Sequence, residues 1–83
     1  MAYLYILYSM SLDKYYVGHT AQAVQERLEQ YLTNHQGFTG KAKDWQIVFS
    51  QSFETKAAAY AAERRVKSWK SRQAIQHLIA GDD

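Results

Sequence analysis

The chain has no cysteine and no proline, and glycine occurs only at 18, 37, 40 and 81 of its 83 residues. Without cysteine there are neither disulfide staples nor thiolate metal sites, so a hydrophobic core must hold the fold. The scarcity of proline and glycine leaves little material for a linker, and no internal repeat is visible. One domain over 1–83 is expected, with a core at about 2–79 and a short acidic tail at 80–83. Long apolar runs are also missing. The longest, Ala2 to Tyr8, is far too short to span a membrane, so no membrane partner is expected. The start lacks a basic leader and small-residue cleavage site, which predicts a cytoplasmic location. There is no Gly-rich phosphate loop of the P-loop type and no dinucleotide fingerprint. His19, His35 and His77 have no metal-ligand spacing, and no Ser-His-Asp triad can be assembled from the chain.

Charge is not strongly of one sign either: the net is +2. Its distribution is more informative. Arg64, Arg65, Lys67, Lys70 and Arg72 crowd into residues 64–72, and Lys41 and Lys43 form a second group. The acids lie mostly elsewhere, at Glu26, Glu29, Glu54, Glu63 and the terminal Asp82-Asp83. A local basic surface steers phosphate ligands better than net charge does. The plainer reading of the same cluster is a solvated helix face.

Hydrophobic residues make up 47% of the chain and aromatics 14%, enough to build a core. Tyr3 to Tyr8 is aromatic and aliphatic on both faces and reads as a strand buried on both sides. A turn over Ser9–Lys14 returns the chain as a second strand, Tyr15–His19, making a hairpin. Tyr5 and Tyr16 then lie opposite or diagonal, close enough to share a site. Thr20 is the expected N-cap of a helix over 21–34, with Val24, Leu28, Tyr31 and Leu32 at helical spacing. Arg27, Tyr31 and His35 step by four and stack along one face. Residues 37–43 form a Gly-rich basic loop, and 45–53 a third strand. Thr55 caps a helix over 56–69 whose core stripe is Ala59, Ala62, Val66 and Trp69, with Glu63 on the stripe's edge. A last helix, 71–79, offers Ile75, Leu78 and Ile79. The fold class is α+β, a three-stranded antiparallel sheet flanked by helices in the order β-β-α-β-α-α.

With the familiar sites excluded, tyrosine, arginine and one marked glutamate remain. Most of the seven tyrosines are expected in the core or on sheet faces, and both tryptophans in the core. Glu63, beside Arg64 and Lys67, also has a plain reading as a surface ion pair. Gly18 suggests a backbone constraint rather than chemistry.

Taken together, however, Tyr3-Leu4-Tyr5 and, after ten intervening residues, Tyr16-Val17-Gly18 resemble the paired motif of the GIY-YIG nuclease superfamily. Arg27 stands before a hydrophobic residue in the next helix, as the family arginine does, and Glu63 matches the later family glutamate. Tyr16-Val17-Gly18-His19-Thr20, Asn34-His35-Gln36-Gly37-Phe38-Thr39 and Trp69-Lys70-Ser71-Arg72 are similar to the small stand-alone bacterial members, relatives of the excision-repair nuclease domain. Three departures are visible. Tyr3 replaces the name-giving glycine, Arg27 lies one residue farther from Tyr16 than usual, and no asparagine follows Glu63.

The resemblance implies a DNA endonuclease with a repair-related ancestry, using one Mg²⁺ or Mn²⁺ ion held by Glu63. Arg27 would bind the phosphoryl oxygens, water would attack, and Tyr5 or Tyr16 would serve as general base. A free phenol, with a pKa of about 10, needs nearby positive charge for that task. His19, where the repair nuclease has lysine, would bind phosphate or relay a proton. Tyr31 occupies a place where relatives carry His or Tyr, and His35 sits one turn beyond. Lys41, Lys43, Arg64, Arg65, Lys67, Lys70 and Arg72 would hold the nucleic-acid backbone, with no obligate protein partner. The alternative is a catalytically weak nucleic-acid binding module on the same fold.

Overall fold

The computed structural model describes residues 1–33 and 44–81, except for the side chains of 31–33. The Gly-rich loop, with Lys41, Lys43 and His35, lies outside these residues, as does the Tyr31 side chain.

The order of elements is β1 (Ala2–Ser9), β2 (Lys14–Thr20), α1 (Val24–Thr33), β3 (Trp45–Phe53), α2 (Lys56–Ser68) and α3 (Arg72–Ala80). The strands form one sheet in the order β2-β1-β3, antiparallel throughout. The α+β class, the element order and the antiparallel sheet are as the sequence predicts.

Central β1 is apolar on both faces because helices cover both. Leu4 and Ile6 point to one side, where they pack with Val17, Ala62 and Val66 and with Ile75, Leu78 and Ile79 of α3. Tyr5 and Leu7 point to the other, against Leu28 of α1 and Trp45 of β3. Each of the four β1 side chains is essentially buried. Removing such a side chain from water is worth about 1.5–3 kcal/mol as an upper figure.

The β1–β3 ladder shifts register between Ile6, which faces Phe49, and Leu7, which faces Ile47. Val48 is thereby the extra residue of a β-bulge. Ile47 and Phe49 would share one face in a regular strand. The bulge sends Phe49 to the α2–α3 side and Ile47 to the α1 side.

The hairpin turn is fixed by side chains. Ser9 Oγ and Ser11 Oγ donate to Asp44 Oδ1 at 2.6 and 3.1 Å, and the Ser11 N–H donates to Oδ2 at 2.7 Å. These bonds hold the Asp44 carboxyl below its usual pKa. Asp13 ends the turn in the left-handed region (φ 53°). It accepts from the Tyr8 hydroxyl at 2.5 Å and forms an ion pair with Arg72 at the start of α3. Above it Tyr8 and Tyr15 stack across the strands, with centroids 4.8 Å apart.

Three local expectations need correction. Thr20 does not cap α1. It is the last residue of β2, and its Oγ1 accepts from the Gln22 N–H at 2.9 Å, closing a turn that delays the helix to Val24. Thr55 does cap α2, accepting from the Ala58 N–H at 3.1 Å. Trp69 is not core: α2 stops at Ser68, Trp69 becomes its C-cap, and the side chain is 39% exposed. The chain turns at Lys70, which adopts a positive φ of 47°, and Ser71 caps α3. Tyr60, expected among the packed tyrosines, is 44% exposed on the outer side of α2.

Candidate active site

Glu63 is the one acidic residue among the buried positions of α2, at 9% exposure. It sits where the core stripe of Ala59, Ala62 and Val66 meets a second stripe of Lys56, Tyr60, Glu63 and Lys67. The second set steps by four, three and four residues, so one helix face carries all of it. That face meets β2, an edge strand of the sheet.

Both Glu63 oxygens have partners there. His19 Nδ1 lies 2.7 Å from Oε1, and Lys67 Nζ lies 3.0 Å from Oε2. Burial raises the carboxyl pKa, but the hydrogen bonds from His19 and Lys67, with their charges, outweigh it and hold the group below its usual value. Glu63 is therefore an ionised carboxylate at neutral pH. Since it accepts, Nδ1 of His19 carries a proton, and Nε2 is the ring nitrogen left for another partner. Tyr60 supports the imidazole, with ring centroids 5.1 Å apart.

The β1–β2 register explains the tyrosines. Tyr5 pairs with Gly18, and Tyr16 with Leu7. Tyr5 and Tyr16 are thus diagonal neighbours on the α1 side, their centroids 6.5 Å apart. The Tyr5 ring lies directly across Gly18. A Cβ there would stand 2.5 Å from the Tyr5 hydroxyl oxygen and 2.6 Å from Cζ. Glycine is needed for close approach, and its backbone is otherwise ordinary. Tyr16, at the sheet edge, is reached from the other side by Lys67, whose Nζ lies 5.8 Å from the ring centroid. The candidate residues consequently straddle the β2 edge, with tyrosines on one face and the His19–Glu63 pair on the other.

Arg27 joins this group through a cleft of about 380 Å³ that it lines with His19, Thr20, Gln22 and Lys56. Its Nη1 donates to Gln30 Oε1 at 2.9 Å. The basic run 64–72 does not form one surface. Lys67 faces Glu63. Arg64 folds back on Tyr60, donating to its hydroxyl at 3.3 Å. Arg65 lies on the far side of α2 with Trp69 and Leu78. Lys70 and Arg72 line a second cleft with Lys14.

The GIY-YIG catalytic domain model matches residues 1–76. The chain belongs to the GIY-YIG family. No curated protein and no solved structure matches it significantly. GIY-YIG is a family of nucleases, generally metal-dependent, so nucleic acid is the substrate class that membership indicates. No helix among the described residues is long and apolar enough to cross a membrane.

The general metal dependence of GIY-YIG nucleases raises the question of whether these side chains could hold an ion. Among the described residues no three His, Cys, Asp or Glu side chains cluster. A hard divalent ion such as Mg²⁺ nevertheless binds through one carboxylate, completing its shell with water and phosphate oxygens. An ionised Glu63 fits that role, and Oε2 is the oxygen that could be freed for it, because the Lys67 side chain on it is half exposed and can swing away. Lys56, Tyr60 and Lys14 are neighbours of the site that the sequence reading missed. Lys56 and Tyr60 were legible as the continuation of the Glu63 face.

Proposed function

We propose that this GIY-YIG domain is a divalent-metal-dependent endonuclease that hydrolyses phosphodiester bonds in DNA with one metal ion. The observation that carries the reading is Glu63, ionised and largely buried, aligned by His19 beside the Tyr16 edge. A bound Mg²⁺ or Mn²⁺, held by Glu63, would neutralise charge on the phosphate and on the leaving oxygen. Arg27, in the cleft it shares with His19, donates to the phosphoryl oxygens. Tyr16 lies at the sheet edge next to a cation, and once ionised to the phenolate it would take the proton from the attacking water. Tyr5, 1% exposed and packed over Gly18, positions Tyr16 and the backbone of the second motif. His19, oriented by its Nδ1 contact with Glu63, would bind phosphate through Nε2 or relay a proton.

A second reading keeps nucleic-acid binding and loses turnover. Two observations favour it: Lys67 occupies Oε2 of Glu63, and the chain has no asparagine after Asn34.

The test is a cleavage panel of labelled single-stranded, duplex, branched and RNA substrates with Mg²⁺, Mn²⁺ or EDTA. Metal-dependent products from wild type and none from Glu63→Ala support the nuclease. Binding to the panel without products establishes the second reading.

A further inference from the structure

Beyond Glu63 and away from Arg27, a second cleft of about 380 Å³ runs between the β2 edge and the junction of α2 and α3. Its apolar floor includes Val17 and Val66, and its rim carries Lys14, Lys67, Lys70 and Arg72. Among the described residues, no acid lines it. We infer that this cleft binds the sugar-phosphate backbone of the substrate strand on one side of the scissile phosphate, an inference that rests on the nuclease reading.

Three observations lead there. The first is continuity. Lys67 both contacts the Glu63 carboxylate and lines the cleft, and Tyr16 lies under its ammonium group. A strand whose phosphate reaches Glu63 has this cleft as its next cationic surface. The second is symmetry of charge about Glu63. The cleft with His19, Arg27 and Lys56 lies on one side, and Lys14, Lys67 and Lys70 lie on the other. One phosphate needs a single pocket, whereas cations on both sides of the candidate carboxylate suit a polyanion that passes across it.

The third is the backbone of Lys70. It holds a left-handed φ of 47° at the turn between α2 and α3. Glycine or asparagine adopts that conformation without the steric conflict that a lysine Cβ meets. A long cationic side chain at a strained turn beside a cation-lined cleft suits a ligand for that charge more than it suits the turn. Arg72 contributes less, since Asp13 pairs with it and holds it in place at the N-terminus of α3. Lys14, Lys67 and Lys70 line the same cleft, and of these Lys14 and Lys70 can be changed without touching the Glu63 carboxylate.

The test uses the whole chain with Lys14→Thr and Lys70→Gly, singly and together. Threonine suits a strand, and glycine suits the left-handed turn, so both variants keep the local backbone. Binding of a fluorescein-labelled single strand and duplex is followed by anisotropy in EDTA across a salt series. For each lysine–phosphate pairing removed, the slope of log K against log salt should fall by about 0.7 on the single strand or about 0.9 on the duplex. At 0.1 M salt the double variant should bind on the order of tenfold more weakly or worse. Lys14→Arg should restore the slope, and Lys70→Gly should melt at the wild-type temperature or above it. Wild-type binding and an unchanged slope in the double variant overturn the cleft and leave the nuclease standing. A wild type that binds neither probe overturns both.

Discussion

Lys67 Nζ and Glu63 Oε2 lie 3.0 Å apart on successive turns of α2. This contact, together with His19 on Oε1, keeps the carboxylate charged in a largely buried position. It also occupies the oxygen a divalent ion would use. On the proposed metal role of Glu63, a cation within α2 and a cation from solution would compete for one atom.

Replacing Lys67 with methionine removes that competition. A unit charge about 4 Å away is worth about 1 kcal/mol even in water-like surroundings. Mn²⁺ should bind Lys67→Met roughly fivefold more tightly or better than wild type, by a direct titration without nucleic acid. Equal or weaker affinity would mean that Glu63 is not the metal ligand.

Gly18→Ala forces a Cβ to within 2.6 Å of the Tyr5 ring. Overpacking of this kind costs about 1–3 kcal/mol, so a lower melting temperature is expected. Shrinking Tyr5 to valine in the same chain should recover part of the Gly18→Ala loss. A cycle of the two single variants and the double measures that coupling. Strictly additive losses would show that the tyrosine ring is not what excludes a side chain at 18.

The acid limb of stability follows from three carboxylates. Asp13, Asp44 and Glu63 are all held below their usual values, Asp13 first by Arg72 and then by Tyr8. A depressed folded-state pKa adds stability that is full above the unfolded value and is lost as pH falls through the folded one. Melting temperature should be level near neutrality and drop below about pH 4. Glu63→Gln should show a shallower drop. An identical pH profile for the variant would show that the His19 and Lys67 contacts do not form in solution.

Much of this molecule was legible in its sequence because periodicity speaks clearly where burial is one-sided or complete. The order of elements, the doubly buried β1 and the capping by Thr55 all follow from local patterns. Glu63 stood out as an acid bordering an apolar stripe. What the patterns could not carry was long-range. Nothing local shows that the Val48 bulge re-aims Ile47 and Phe49, or that Thr20 commits its hydroxyl to a turn. Trp69 fits the helical stripe by spacing, yet a left-handed Lys70 ends the helix before its ring is covered. The site divides in the same way. Lys56, Tyr60 and Lys67 follow from Glu63 by helical arithmetic. The approach of Lys14 to Lys70, and the departure of Arg65 to the far side of α2, depend on how α3 packs.

The central claim is that Glu63 serves chemistry and not binding, and single-turnover cleavage by Glu63→Gln tests it most directly. The substitution keeps shape and one hydrogen-bond acceptor while removing the charge. With a substrate the wild type cuts in Mg²⁺ or Mn²⁺, the variant should lose about 10²-fold or more in rate. Its affinity for the same oligonucleotide in EDTA should be unchanged or slightly higher. Cleavage at the wild-type rate would contradict the account, and so would a loss of rate matched by an equal loss of binding.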